Sequence, residues 1–149
     1  MSLSRFRTAA FVALAVTAVA ASSAQDAAAR TLPPDAPRAP KTHVVKMITE
    51  NGKQIFDPIK LTIQAGDTVE WLAVSGSHNV AFWADSVPKG AVELLKKAMP
   101  ETTKELTGPR KPKKGDKYVM VFSGMPKGTY EYYCTPHLKK MMVGTLIIK

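Results

Sequence analysis

The sequence predicts an all-β domain, a sandwich of short strands with one short helix in a long inter-strand excursion. Three observations lead there. From residue 42 onward, runs rich in β-branched and aromatic residues recur, and turn residues stand between them: NGK at 51–53, QAGD at 64–67 and SGMPKG at 123–128. In TVEWLAV (68–74), Val69, Trp71 and Ala73 alternate with their neighbours, as one buried face of a strand requires. A single stretch, VPKGAVELLKKAMPETTKELTG (87–108), carries a block of helix formers.

In chain order, THVVKMITE (42–50) opens the strands and Asn51-Gly52 turns the chain. IFDPIKLTI (55–63) reads as the next strand, with Pro58 marking an edge or a bulge because it has no N–H to give. TVEWLAV follows after Gly66. The helix is expected from Ala91 to Met99, after Pro88 and Gly90 and before Pro100. RKPKKGDK (110–117) carries five basic residues and one acid and reads as a solvated loop. KYVMVF (117–122) and GTYEYYC (128–134) flank a turn, and VGTLIIK (143–149) supplies a closing strand. Trp71, Phe82, Trp83 and Tyr130, Tyr132 and Tyr133 are expected to pack the core and its rim.

Upstream of these strands the composition changes. MSLSRFRTAAFVALAVTAVAASSAQ has Arg5 and Arg7, an uncharged and mostly apolar run from Ala9 to Ala21, then small residues. That is the layout of a secretory signal, 1–24, with cleavage expected after Ala24 and Ala29 as the alternative. The apolar run is 13 residues, short of the ~20 that span a bilayer, so no stable membrane insertion is expected after cleavage. Residues 25–40 are rich in Ala and Pro and read as a disordered spacer, which leaves 41–149 as the domain. The whole chain has 149 residues and a formal net charge of +9; removing the signal takes two arginines and no acid, lowering it to +7. Export to the periplasm or an equivalent space argues against nucleic acid as the reason for that charge, and the basic residues lack interleaved aromatics.

Export also sharpens the meaning of the single cysteine, Cys134, which cannot form an internal disulfide. A lone thiol in an oxidising compartment is a buried small hydrophobe, a reactive group or a metal ligand. Its neighbours favour the last. In CTPHLKKMM, His137 follows at the third position, and Met141 and Met142 close the segment. Cys-x-x-His alone is weak evidence. A zinc site would need four ligands, and His43, His78, Cys134 and His137 would use every histidine in the chain. Two imidazoles, one thiolate and a thioether instead form the donor set of a blue-copper centre, with thiolate and thioether suiting Cu(I) and imidazole suiting both oxidation states.

The stretch HNVAFW (78–83) and the closing run GTYEYYCTPHLKKMMVGTLIIK (128–149) resemble the plastocyanin family of cupredoxins, with pseudoazurin and amicyanin as near relatives of the pattern. The resemblance covers about 42–149, more loosely between 85 and 116. It implies a cupredoxin-type Greek-key sandwich of antiparallel or mixed sheets. It also implies one type 1 copper ion held by His78, Cys134, His137 and Met142. The family spacing and the following Val-Gly favour Met142 over Met141 as the axial ligand. Asn79 is implied to tie the two ligand loops together from behind. His137, Leu138 and Met141 are implied to form the surface through which electrons pass. Lys139 and Lys140 depart from the small residues usual there, and no counterpart of the plant acidic patches is apparent. The expected partner is therefore a redox protein, a cytochrome or copper enzyme, with an acidic docking face.

The expected function is a monomeric single-electron shuttle cycling between Cu(I) and Cu(II). A copper-handling protein, chaperone or store, is the alternative; Met47, Met99, Met120 and Met125 are too scattered to favour it. An enzyme is not expected. Copper oxidases and nitrite reductases need further histidine-built copper sites, which three histidines cannot supply.

Overall fold

A computed structural model describes residues 38–149. The signal at 1–24 and the spacer up to residue 37 lie outside the described residues. The strands are β1 (Thr42–Glu50), β2 (Lys53–Asp57), β3 (Lys60–Ile63), β4 (Thr68–Ala73), β5 (Ala81–Phe82), β6 (Lys117–Val121), β7 (Gly128–Tyr133) and β8 (Val143–Ile148). One helix, α1, spans Ala91–Ala98. Two four-stranded sheets result, ordered β2-β1-β4-β6 and β3-β8-β7-β5. Each is mixed: β1 runs parallel to β4 and β3 parallel to β8, while the other pairs are antiparallel.

The expected sandwich is thus observed, with one strand reading corrected. The run 55–63 is not one strand but two, which belong to different sheets. Pro58 stands at the break. It cannot donate to a ladder, so β1 pairing ends at Asp57, and the chain crosses to pair with β8 from Lys60. At the preceding hairpin, Asn51 (φ 49°) and Gly52 (φ 75°) both adopt the left-handed backbone that a two-residue turn requires.

The core lies between the sheets. Val69, Trp71 and Ala73 point inward from β4, as their alternation predicts, beside Val45 and Met47 of β1 and Tyr118 and Met120 of β6. Tyr130, Tyr132, Leu146 and Ile148 face them from the second sheet. Trp71 is the hub, edge-on to Tyr132 (centroids 5.5 Å) and Phe82 (6.4 Å). Truncating so large a buried ring costs about 3–5 kcal/mol. Trp83 and Tyr133 stack at 4.3 Å on the rim rather than in the core.

The excursion between β5 and β6 is part of this packing. Ala91, Leu95 and Met99, one helical stripe, are buried against the core. The chain then returns alongside β5: Phe82 N–H donates to Leu106 C=O (2.9 Å), Gly108 N–H to Val80 C=O (2.9 Å) and Lys111 N–H to His78 C=O (2.7 Å). Among the described residues, no helix is long and apolar enough to cross a membrane.

At one end of the sandwich, Asp67 is buried just before β4 and collects four donors. Lys41 N–H reaches Oδ1 at 2.9 Å; Gln64 N–H (3.0 Å), His43 Nε2 (2.9 Å) and the Arg38 guanidinium reach Oδ2. Burial alone would raise the carboxyl's pKa. Arg38, the two backbone N–H groups and His43 together outweigh that and hold it well below the usual carboxylate range.

Candidate metal centre

The opposite end of the sandwich, roughly 20 Å away along β4 at ~3.3 Å per residue, holds the chemistry. Cys134 ends β7, and the chain then coils through residues 135–140 before β8 begins at Val143. Backbone bonds close this loop. His137 N–H donates to Cys134 C=O (3.0 Å), Met142 N–H to His137 C=O (3.3 Å), and Cys134 N–H to Met142 C=O (3.0 Å). Pro136, with its fixed φ, stiffens the first turn. His78 arrives from the segment after β4, held in place by the returning strand at Lys111.

The loop and the segment meet. His137 Nδ1 lies 3.4 Å from Cys134 Sγ, His78 Nδ1 lies 3.7 Å from the same sulfur, and the two Nδ1 atoms are 3.2 Å apart. The centre of that triangle is about 2 Å from each corner, close to the length of a bond between a first-row metal and imidazole. The tautomers fit a metal as well. His78 Nε2 is 2.8 Å from Ser75 C=O, which can only accept, so the proton sits on Nε2 and the Nδ1 lone pair faces inward. Thr49 Oγ1 lies 3.1 Å from the same Nε2.

Burial opposes charge on all three donor groups. Burial lowers the pKa of His78, and the nearby His137 and Arg110 add to this against the Ser75 carbonyl. Burial lowers His137, with Lys140 and Arg110 contributing. Burial pushes the Cys134 thiol up, although the N–H groups of Asn79 and His137 and the Arg110 charge pull the other way. A buried thiol and two neutral imidazoles around one point are the donors of a soft cation, and binding would displace the thiol proton.

The other expected residues fall as follows. Met142 is fully buried beside this loop, whereas Met141 is 74% exposed with a left-handed backbone (φ 58°). Asn79 is buried, and its amide spans three segments. Nδ2 donates to Gly108 C=O (3.1 Å) and Thr135 Oγ1 (2.6 Å), and Oδ1 accepts from Thr135 N–H (2.9 Å). His137 is partly exposed, flanked by exposed Leu138. His43 sits with Asp67 at the far end, so the four-ligand zinc set is not brought together. Sequence reasoning missed the residues that aim His78: Thr49, Ser75 and Gly76. Gly76 (φ 80°) is the legible one, since SGSH carries a glycine just ahead of the histidine. A Cβ there would strike Thr49 and come within 2.9 Å of His78 Nε2.

A β-sandwich with two imidazoles and a buried thiol converging at one end defines a class of copper-binding proteins, and comparison with known sequences and structures narrows it. Residues 43–149 match the family described as copper binding proteins, plastocyanin/azurin family. A plastocyanin of Synechococcus sp. (strain JA-2-3B'a(2-13)) is 38% identical over 113 residues, 75% of this chain and 76% of that one. A plastocyanin of Prochlorothrix hollandica is 36% identical over 115 residues, 76% and 78% of the two chains. Among solved structures, the oxidised plastocyanin of Dryopteris crassirhizoma superposes with a TM-score of 0.56 at 32% identity, covering 72% of this chain and 100% of that one. A Sinorhizobium pseudoazurin gives 0.51 at 25% identity, covering 73% and 74%. The chain belongs to the plastocyanin/azurin family of copper binding proteins. Its cofactor is copper, and the His78, Cys134 and His137 cluster fits a type 1 site.

Proposed function

We propose that the protein is a single-electron carrier, with His78, Cys134, His137 and Met142 as the ligands of one copper ion and no catalytic turnover of its own. When bound, copper supplies the one-electron Cu(I)/Cu(II) couple. The chain supplies rigidity and a route. The observation that carries the reading is the convergence of three donor atoms within 3.7 Å of one another on a hydrogen-bonded frame. Ser75 and Thr49 fix one imidazole, the closed 134–142 loop fixes the thiol and the other imidazole, and Asn79 joins the two halves through Thr135. A frame so constrained changes little when charge changes, which keeps the reorganisation of electron transfer small. The buried side chain of Met142, against the exposed one of Met141, supports Met142 as the axial donor. His137 is the donor residue that reaches the surface, so its outer ring edge is the electron's exit.

The partner in this reading is a redox protein, and the compartment is an exported one. The latter rests on the leader residues alone. The test is the Cu(II)-loaded protein beside its Cys134→Ser variant. An intense thiolate-to-copper visible band, narrow copper hyperfine splitting and a reversible one-electron wave are expected, all lost in the variant. Tight copper binding with neither band nor wave would favour copper handling instead.

A further inference from the structure

Among the described residues, five polar or charged ones are buried: Gln54, Asp67, His78, Asn79 and Thr107. Four have partners. Asp67 collects its four donors, His78 Nε2 faces Ser75 C=O, Asn79 is bonded to Gly108 and Thr135, and Thr107 Oγ1 donates to Glu105 C=O (3.1 Å). Gln54 is the exception. It is 7% exposed, and its Oε1 is buried with no hydrogen-bond partner among the described residues. Trp71 Nε1 and Tyr132 OH share that state, but each is the edge of a large ring whose burial offsets the loss. Gln54 has no such ring. A leucine in its place would bury more apolar surface and leave no acceptor unmet.

The fold puts this oxygen at the metal end. Strand β2 has two inward side chains, Gln54 and Phe56. Phe56 packs against the face-on neighbour Tyr132 of the other sheet (centroids 4.8 Å). Gln54 lies two residues, about 7 Å, nearer the β1–β2 hairpin. In the opposite sheet Cys134 lies the same two residues beyond Tyr132, and its N–H donates to Met142 C=O (3.0 Å). Gln54 is therefore level with the thiol and with Met142, and β2 packs against both β8 and the 135–140 loop. Within its own sheet Gln54 stands opposite Thr49, whose Oγ1 is 3.1 Å from His78 Nε2. The carboxamide thus has the Thr49–His78 contact on one side and the donor loop across the sandwich.

We propose that Gln54 tunes the metal centre: its buried amide oxygen makes one wall of the site electron-rich and holds the reduction potential below the value an apolar side chain would give. This rests on the electron-carrier reading and adds to it a residue outside the ligand set and the direction of its effect. The carbonyl end of an amide carries partial negative charge. In a low-dielectric interior that charge favours the more highly charged Cu(II) over Cu(I). A donor bonded to the oxygen would cancel much of the field, so an unpartnered acceptor is the form in which an amide acts furthest. Gln54 neither binds the ion nor carries the electron; it acts through the field at the donors.

The experiment compares wild type with Gln54→Leu and Phe56→Leu. The second variant changes the packing of the same strand without changing its polarity. Each copper-loaded protein is examined by cyclic voltammetry. Its Cu(I) and Cu(II) dissociation constants are measured by competition with chelators, and the metal-free forms are melted in parallel. Gln54→Leu is expected to move the potential upward, with the ratio of the Cu(II) to the Cu(I) dissociation constant rising about threefold or more. Its metal-free form should melt no lower than wild type, because an unmet acceptor has been removed. Phe56→Leu should melt lower and leave the ratio within about twofold of wild type. An unchanged potential in Gln54→Leu would overturn the proposal and leave the oxygen a packing defect only. A fall in potential would overturn it too, as would an equal rise in both variants, which would trace to displacement of β2 rather than to polarity. The lack of a reversible wave in the wild type would sink the electron-carrier reading, and the ratio of dissociation constants would still decide the role of Gln54. A normal wild-type wave with an unresponsive Gln54→Leu sinks the tuning role alone.

Discussion

Gly76 and Asn79 illustrate how much of the site depends on residues that never touch a metal. Gly76 combines a left-handed backbone with an absence of space, since a methyl group would press on Thr49 and on the outer nitrogen of His78. Gly76→Ala should destabilise the fold by about 1–3 kcal/mol, and differential denaturation would measure it. It should also perturb the Cu(II) resonance spectrum, because the displaced group is the imidazole itself. Asn79→Ala removes the side-chain bonds that tie Gly108 C=O and Thr135 to the His78 segment and leaves buried polar groups unmet. A loss of about 2 kcal/mol is expected, with weaker copper retention against a competing chelator. At this scale the sequence was most legible where residue types are rare: a lone cysteine, two of three histidines and a pair of methionines speak for themselves. Thr49, Ser75 and Thr135 did not, because Ser and Thr occur everywhere and only tertiary placement gives these three their work.

The strands were readable from alternation, and the β1–β2 hairpin from Asn51-Gly52, but their distribution between sheets was not. Pro58 signalled an interruption, yet nothing local says that β3 leaves the first sheet to pair with β8. That partner lies more than 80 positions away. The excursion was similarly opaque. Its helix announced itself, whereas its return along β5 rests on backbone bonds, which carry no residue signature. The turn before β4 yields a prediction of its own. Asp67→Ala removes the acceptor shared by Lys41, Gln64, His43 and Arg38, and should cost about 2–4 kcal/mol near neutral pH. The Asp67 carboxyl is held below its ordinary value in the folded chain, so its contribution is complete above the unfolded aspartate value of about 4 and is lost as pH falls further. Denaturation curves of wild type and variant should therefore converge in acid. A gap that stayed constant down to pH 2 would show that the carboxylate's charge is not what the latch uses.

The sandwich formed by the described residues carries a buried carboxylate at one end and a buried cluster of two imidazoles and a thiol at the other. Because the three donors converge only in the folded arrangement, copper should raise the unfolding temperature. At free copper about a thousandfold above Kd the gain is about 4 kcal/mol, or upwards of about 10 °C for a domain of this size. Scanning calorimetry with and without a chelator would measure it, and Cys134→Ser should abolish most of the shift. The order in which the sandwich can close has a further consequence. β8 lies between β3 and β7 and is the strand that joins them, and it directly follows the loop that brings Cys134, His137 and Met142 together. Until residues 143–148 are available, the second sheet lacks its central partner and the loop has nothing to close against. A chain in which β8 has not docked thus lacks the closed loop on which the thiol and imidazoles converge. Assembly of the metal-binding loop is in this way coupled to closure of the second sheet.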